Sequence, residues 1–258
     1  MCPLSSQDDG FVKAPLTPTQ TDDILELLNT NDGRYAAACS LDFKNAPTFY
    51  DTFALRDSDG HEAIMSTWPY FRSSVSRHAM MRNEAVPVSS CWNGAGEPVP
   101  AESLSGRLTL IAQTVSMAVE PFLAEYPLRF RGVPDSLAAY HLEGSECCLI
   151  HADNPLSADL GVWLNPRVRV TYNGQAYEDT HDKSGGSWIS LWGVIRGLWL
   201  NRLLRWIGWL QVEWWETMGR VNAWKIDGTA KGQSRSEPGG FCLIDEMQVL
   251  VVNGWAHV

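Results

Sequence analysis

The sequence lacks the local motifs that identify several large enzyme classes. It contains no glycine-rich phosphate loop of the Walker or dinucleotide type and no Gly-x-Ser-x-Gly nucleophile elbow. Kinase, dehydrogenase and α/β-hydrolase functions therefore have little support. Basic residues are also scarce, since 20 Lys and Arg stand against 30 Asp and Glu and give a net charge of −10. No Lys/Arg-rich run offsets this charge, which argues against a nucleic-acid partner.

The first twenty residues lack the features of a targeting segment. The string MCPLSSQDDGFVKAPLTPTQ has neither a basic start nor an apolar run, so it predicts no signal peptide and no membrane anchor. Taken literally, it predicts a soluble chain that stays in the cytosol. Its prolines and mixed polar residues predict a loop over residues 1 to 20.

The six cysteines form no CxxC pair and show no Cys/His metal spacing, so they do not support a zinc site. The general behaviour of free cysteine favours buried, reduced side chains for most of them. An oxidising lumen would allow one or two disulfides, and the sequence does not decide between these alternatives.

What the chain does contain predicts a globular α/β protein. Its 258 residues are 45% hydrophobic, enough for a large core in one or two domains. Short helical and strand-like runs alternate, which favours the α/β class. Asp42 ends one apolar run, and open α/β sheets place ligands at the carboxyl ends of strands. The predicted strands cover 35–41, 49–60, 85–91, 128–133, 149–152, 162–170 and 247–252, a short helix covers 24–28, and 95–116 is interpreted as an insertion.

The densest polar cluster is HLEGSECCLIHADN, which begins at His141. On a helix, Glu143 and Glu146 would share a face, and paired carboxylates beside histidines suit acid/base chemistry or a divalent metal. The alternative is a solvated helix start capped by Ser145.

Two further segments carry candidate chemistry, each with a structural alternative. Asp57-Ser58-Asp59 is a DxD sequence, and two carboxylates so spaced can bind one Mn²⁺. Gly60 follows it, however, and Asp-Gly favours a turn. Trp92 and Asn93 could offer a stacking ring and an amide to a sugar, or could form a tight turn after a strand.

Residues 187–225 form a Trp-rich segment that predicts a long helix or a helix pair. Its large apolar side chains recur at steps of three and four, which is typical of one helix face. This face could pack on the core. The alternative is peripheral membrane contact, because a basic, Trp-rich amphipathic helix suits a bilayer interface.

Eight blocks of the sequence together resemble glycosyltransferase family 69, the fungal capsule-associated α-1,3-mannosyltransferases. They run in order through most of residues 24 to 258, and HLEGSECCLIHADNP is the most specific. The others are GRYAAACSLDF, FYDTFALRDSDG, WPYF, PVSSCWNG, LRFRGVPDSLA, GVWLNPRVRVTYN and FCLIDEMQVLVVNGWAHV.

The resemblance implies a GT-A-type fold, a GDP-mannose donor, a glycan acceptor, a divalent metal of the Mn²⁺ kind and a location in the Golgi lumen. It also implies an α-linked product formed with retention. By analogy, the catalytic residues are Glu143, Glu146 and Asp153, the substrate-binding residues are Trp92, Asn93, Arg131, Asp135 and His141, and the metal ligands are Asp57, Asp59 and His151.

This sequence departs from the family pattern in two places. Family members have an anchor, early βαβ units and an acidic metal-binding strand before the equivalent of residue 24, where this chain has loop-like residues. We therefore expect a GT-A-like fold that is incomplete at its N-terminus, with exposed sheet edges. Residues 95–116 also interrupt the family pattern. A non-catalytic sugar-binding or membrane-interface fragment remains the alternative function, and a chain that does not fold cooperatively is a third.

Overall fold

The computed structural model describes residues 18–45, 48–49, 53–92, 99–102, 108–112, 115–171, 180, 188–207 and 212–246. The predicted strand at 247–252 and nearly all of the predicted loop at 1–20 lie outside these residues. Within the described part, the chain forms a mixed α/β structure built on one large sheet. The predicted α/β class is therefore confirmed.

The large sheet has eight strands in the order β3-β4-β9-β1-β7-β6-β5, with β2 paired to β1 beside this path. Only β1 and β9 run parallel, while the other pairs are antiparallel. β8 and β10 form a separate antiparallel pair. The strands are β1 (Ala37–Asn45), β2 (Thr48–Phe49), β3 (Arg56–Asp57), β4 (Val86–Ser90), β5 (Val99–Glu102), β6 (Leu108–Ala112), β7 (Val115–Ala118), β8 (Leu142–Gly144), β9 (Val162–Thr171) and β10 (Leu243–Asp245).

Helices lie on both faces of this sheet. They are α1 (Pro18–Leu28), α2 (Ser74–Met81), α3 (Asp135–Ala138), α4 (Glu146–Asp153), α5 (Ser157–Leu160), α6 (Leu191–Ile207) and α7 (Val212–Ala230). Among the described residues, 3₁₀ turns cover Thr30–Gly33, Glu120–Phe122 and Gly240–Cys242. No helix in the described ranges is long and apolar enough to cross a membrane.

The central strand β1 shows why the layers form. Successive side chains of a strand point to opposite faces. Cys39, Leu41 and Phe43 are fully buried on the face that packs against α2 and α4. Ala38 points to the other face, where it packs with Leu27 of α1. The sheet therefore has a core on each side.

Disulfides join elements that are far apart in the sequence. Cys39 of β1 is bonded to Cys91 at the end of β4, and Cys148 of α4 is bonded to Cys242 just before β10. Cys147 is disulfide-bonded as well. These cysteines are buried as expected, and the structure favours the disulfide alternative over free thiols. The pairing depends on which elements the fold brings together, over sequence separations of 52 and 94 residues.

Two predicted strands are also wrong. Residues 149–152 lie in α4, because a short apolar run fits either a strand or a buried helix and here Ser145 occupies the N-cap position. Residues 128–133 form no strand. Their alternating pattern arises because Leu128 and Phe130 pack against the core while Arg129 between them is exposed.

Residues 95–116 contain structure that the sequence did not suggest. β5 and β6 pair antiparallel, and β6 continues the sheet beyond β7. The interpretation of this segment as an insertion stays a prediction. Its described part extends one side of the sheet.

The Trp-rich segment forms the predicted helix pair, α6 and α7. The expectation that its apolar stripe packs on the core is wrong for α6. Trp192, Trp199 and Trp206 are 71%, 65% and 80% exposed, and the buried residues of α6 are Gly197 and Asn201. Periodicity identifies a stripe on a helix but does not say what covers it.

Candidate active site

The DxD segment forms a turn anchored by a buried carboxylate. Asp57 ends β3 and is fully buried. Its Oδ1 accepts hydrogen bonds from the backbone N–H groups of Asp59 and His61, both at 3.0 Å, and Oδ2 accepts from Ser73 N at 2.6 Å. Gly60 closes the turn at φ +80°, a conformation that glycine adopts without strain. The predicted Asp-Gly turn is therefore confirmed.

The start of α2 and strand β4 hold this turn in place. Ser73 caps α2, and its Oγ lies 2.6 Å from Ser58 Oγ. The backbone N–H of Ser58 donates to Ser76 Oγ, which in turn donates to the carbonyl of Pro87. These bonds fix the acidic turn against the sheet.

The same turn collects a group of potential metal ligands. One ligand atom each of Asp57, Asp59 and His61 lies within 4.8 Å of the others. Asp59 is exposed and His61 is partly exposed, so two members can reach a ligand from solvent. His151 is not a member of this group.

The last residue of α4, Asp153, belongs to an ion-pair network. Arg131 donates Nε and Nη2 to the two oxygens of Asp153, and Nη1 and Nη2 to the carboxylate of Glu237 at 3.0 and 2.7 Å. These hydrogen bonds raise the pKa of Arg131 above its usual value, with Asp153 making the largest contribution. The structure thus brings together Arg131 and Asp153, which the sequence assigned to one site, and adds Glu237.

His151 lies one turn of α4 before Asn154 and is buried. Its Nε2 lies 2.7 Å from the carbonyl oxygen of Cys91, and its Nδ1 has no hydrogen-bond partner within the described part of the chain. Burial lowers the pKa of His151 to about 4. Its imidazole is therefore neutral at physiological pH, and Nε2–H is the donor to Cys91.

A cleft of about 540 Å³ connects these features. It lies between the acidic turn, β4, the C-terminal end of α4, the start of β9 and the segment before β10. Its wall contains Ser58, Pro87, Val88, Ser89, His151, Ala152, Asp153, Asn154, Pro155, Ser157, Ala158, Gly161, Val162, Trp163, Pro238 and Phe241. Clefts of this size, with apolar walls and a few polar groups, are the usual form of small-molecule sites.

The other members of the HLEGSECCLIHADN cluster are separated by the fold. Glu143 is exposed in β8, opposite Ile244 of β10, whereas Glu146 is the first residue of α4. The expectation that they share a helix face is therefore wrong, because Ser145 ends the strand and starts the helix. His141 is exposed, with Nδ1 2.6 Å from Glu246 Oε1.

Three remaining candidates lie away from the cleft wall. Asp135 is exposed at the first position of α3. Trp92 is 8% exposed, and its ring packs edge-on against Phe130 at 5.3 Å between centroids. Asp42 is buried within β1, opposite Val170 of β9. The expectation that it ends the strand is therefore wrong. Asn93 lies outside the described residues.

Comparison with known proteins identifies the family of the chain. A family model described as Cryptococcal mannosyltransferase 1 matches residues 18–153, more than half of the 258 residues. The chain belongs to this mannosyltransferase family. The match confirms the resemblance to capsule-associated mannosyltransferases. We found no match among curated proteins or among solved structures.

The match to the mannosyltransferase family includes the acidic turn and all of α4, and it ends at Asp153. Sequence reasoning did not select His61, Asn154, Ser157, Trp163 or Glu237 as site residues. Asn154 and Trp163 lie inside blocks that resemble the family. A polar and an aromatic side chain in such blocks could have been selected as candidate site residues. Glu237 is distant in sequence from Arg131, and only the fold brings the two together.

Proposed function

We propose that this chain is a mannosyltransferase that transfers mannose from GDP-mannose to a glycan acceptor, forming an α-1,3 linkage with retention. The main support is that the family match spans the acidic turn and the helix that ends at the cleft. The mixed sheet with helices on both faces is compatible with the GT-A fold that this function implies. Of the carboxylates assigned to catalysis by the resemblance, Asp153 lines the cleft, and we propose it as the catalytic carboxylate, whereas the catalytic roles of Glu143 and Glu146 stay predictions.

The acidic turn fits a divalent cation of the Mn²⁺ kind. Its donor set consists of two carboxylates and one imidazole whose ligand atoms lie within 4.8 Å of one another. The two carboxylates suit Mn²⁺, whereas the imidazole is a donor that Zn²⁺ and Fe²⁺ also take. We propose that Asp57, Asp59 and His61 hold the ion, which would neutralise charge on the departing diphosphate. His61 thus replaces His151 as the proposed histidine ligand.

The substrate-binding residues divide between two roles. Arg131 holds Asp153 at the cleft wall through paired hydrogen bonds, so we propose that it positions this carboxylate. Asp135 and His141 are exposed and do not line the cleft, so we propose that they contact the outer part of a longer acceptor.

A location in the Golgi lumen is supported by the cysteines. Disulfides persist in oxidising compartments and are rare in the cytosol. The pairs Cys39–Cys91 and Cys148–Cys242 therefore favour the lumen over the cytosolic location predicted from the first twenty residues.

Helix α6 supports peripheral membrane contact as a second property. It carries three exposed tryptophans and Arg196, Arg202 and Arg205, and it contains no acidic residue. Exposed Trp beside Arg is typical of helices that lie in the interface of anionic membranes. We expect the double variant Trp199→Ser/Trp206→Ser to bind vesicles containing anionic lipid about tenfold more weakly. Tyr126→Ser is the matched control, because Tyr126 is an 88% exposed aromatic residue elsewhere.

The activity is tested with the purified chain, GDP-mannose, a mannoside acceptor and Mn²⁺. We expect an α-linked mannosylated product that chelation of the metal abolishes. Asp59→Asn should reduce transfer and raise the Mn²⁺ concentration required, whereas Glu125→Gln removes an exposed carboxylate elsewhere and should have no effect. Absence of transfer and of GDP binding in a cooperatively folded chain would refute the proposal. Binding of mannosides without transfer would support the non-catalytic alternative.

A further inference from the structure

Three polar atoms on residues of the cleft wall lack a hydrogen-bond partner among the described residues. They are His151 Nδ1, Asn154 Nδ2 and Ser157 Oγ. His151 and Asn154 are only 1% and 3% exposed. An unpaired polar group at such depth is costly and uncommon in native proteins. Three of them beside one cleft point to a ligand that supplies their partners.

The hydrogen-bonding character of these atoms defines what the ligand must offer. His151 donates through Nε2 to Cys91, so its Nδ1 carries a free lone pair and accepts. Asn154 Oδ1 accepts from the backbone N–H of Leu156, which leaves Nδ2 as a donor. The hydroxyl of Ser157 can do either. A ligand with neighbouring hydroxyl groups matches these three atoms, because each hydroxyl group can both donate and accept a hydrogen bond.

The charge of the wall argues against an anionic ligand. Among the described lining residues, Asp153 is the one acidic side chain, and it is paired with Arg131. No Lys or Arg side chain lines the cleft in this part of the chain. A diphosphate would therefore find no cationic partner there.

The apolar part of the wall suits a sugar ring. Trp163 contributes an aromatic side chain, held in place because its Nε1–H donates to the carbonyl of Leu160 at 2.8 Å. An aromatic surface beside a few directed polar groups is the usual composition of a site for a neutral, partly apolar ligand.

We propose that this cleft is a subsite for a neutral pyranose, whose hydroxyl groups pair with His151, Asn154 and Ser157 while its ring contacts Trp163. The identification of this sugar as the acceptor rests on the mannosyltransferase function proposed above. Binding of a neutral sugar to the cleft does not depend on that function. The nucleotide of the donor binds outside this cleft.

The test is calorimetric titration of the full chain with methyl α-mannoside and with mannobiose, in the presence of a metal chelator. Asn154→Asp keeps the oxygen that accepts from Leu156 and removes the donor, and Ser157→Ala removes one hydroxyl. Each should weaken sugar binding about tenfold, the effect of losing one hydrogen bond to a ligand. Asn83→Asp makes the same change in charge at an exposed position and should bind as the parent chain does. High salt should leave the affinity unchanged, because the ligand is neutral.

Absence of sugar binding by the parent chain would overturn the proposal. Unchanged affinity in both variants would also overturn it and would mean that water alone pairs with these atoms. Urea midpoints establish that each variant is folded. If Asn154→Asp does not fold, Ser157→Ala, which removes only one hydroxyl, still tests the subsite. Active transfer with an unaltered acceptor KM in the variants would overturn the subsite and leave the proposed function standing. Sugar binding that the variants weaken, without any transfer by the parent chain, would support the subsite and count against the proposed mannosyltransferase function.

Discussion

Replacing Asp57 and Asp59 separately distinguishes the structural role of the acidic turn from its proposed role in metal binding. Asp57 is fully buried and accepts three backbone hydrogen bonds, from Asp59, His61 and Ser73. Asp59 is exposed at the tip of the same turn. The two carboxylates belong to one DxD motif, yet only the first anchors the fold.

The structure gives the size of the difference. In Asp57→Ala, three backbone N–H groups lose a charged acceptor, and a hydrogen bond to a charged group contributes about 1.5–3 kcal/mol. Water can enter through the exposed side of the turn and offset part of this loss. We therefore expect Asp57→Ala to lower the free energy of unfolding by about 3–5 kcal/mol. Asp59→Ala should change it by less than about 0.5 kcal/mol, as is usual for exposed positions.

Urea denaturation followed by tryptophan fluorescence measures both effects, and Mn²⁺ titration measures the second role. Equal urea midpoints for the two variants would refute the reasoning about Asp57. The metal proposal stands separately, because it requires Asp59→Ala to weaken Mn²⁺ binding without loss of stability. If Asp59→Ala binds Mn²⁺ as the parent chain does, the turn is purely structural.

Three further predictions concern stability. The pKa of His151 in the folded state, about 4, lies below the value near 6.5 in an unfolded chain, so the unfolded state binds a proton first as the pH falls. The stability that the neutral His151 imidazole contributes is complete above about pH 6.5 and is lost towards pH 4, where the loss reaches about 3 kcal/mol. His151→Gln should therefore flatten this part of a pH series of urea midpoints. Gly197→Ala should destabilise by about 1–3 kcal/mol, because a Cβ there would lie 2.2 Å from the carbonyl oxygen of Trp68. Gly219→Ala, where the Cβ meets nothing within 4 Å, should instead be neutral or stabilising in a thermal melt. Reducing the disulfide that joins α4 to Cys242 should cost about 5 kcal/mol, because it closes a loop of 94 residues. An unchanged urea midpoint under strong reductant would contradict that estimate.

The candidate site was predictable where its residues are close in sequence. Asp57, Asp59 and His61 fall within five positions, so any compact turn brings their side chains together. His151 and Asp153 were selected from a single block, and both line the cleft. The pairing of Arg131 with Glu237 spans 106 positions, and no local pattern indicates it.

The HLEGSECCLIHADN block also shows that helical spacing alone does not establish a helix. Glu143 and Glu146 have helical spacing, yet the backbone between them changes from strand to helix at Ser145. Tertiary pairing of β8 with β10 overrides the spacing there. A short apolar run such as Leu149–Ala152 fits two conformations, and the packing of α4 on β4 selects the helix.

By itself, the sequence determined the family, the α/β class, the strand-like apolar runs at 35–41 and 162–170 where β1 and β9 lie, and the helical nature of the Trp-rich segment. The family follows from the resemblance of eight sequence blocks, and the other properties follow from local composition and periodicity, which the chain carries wherever it folds. Only the tertiary structure decided which face of α6 is buried, which cysteines pair and which polar atoms meet at the cleft. Gly197 lies on the buried face because the helix approaches Trp68 too closely for any side chain, and the large apolar residues are left outside. Such contacts depend on distances between elements far apart in sequence, and a one-dimensional pattern contains no record of them.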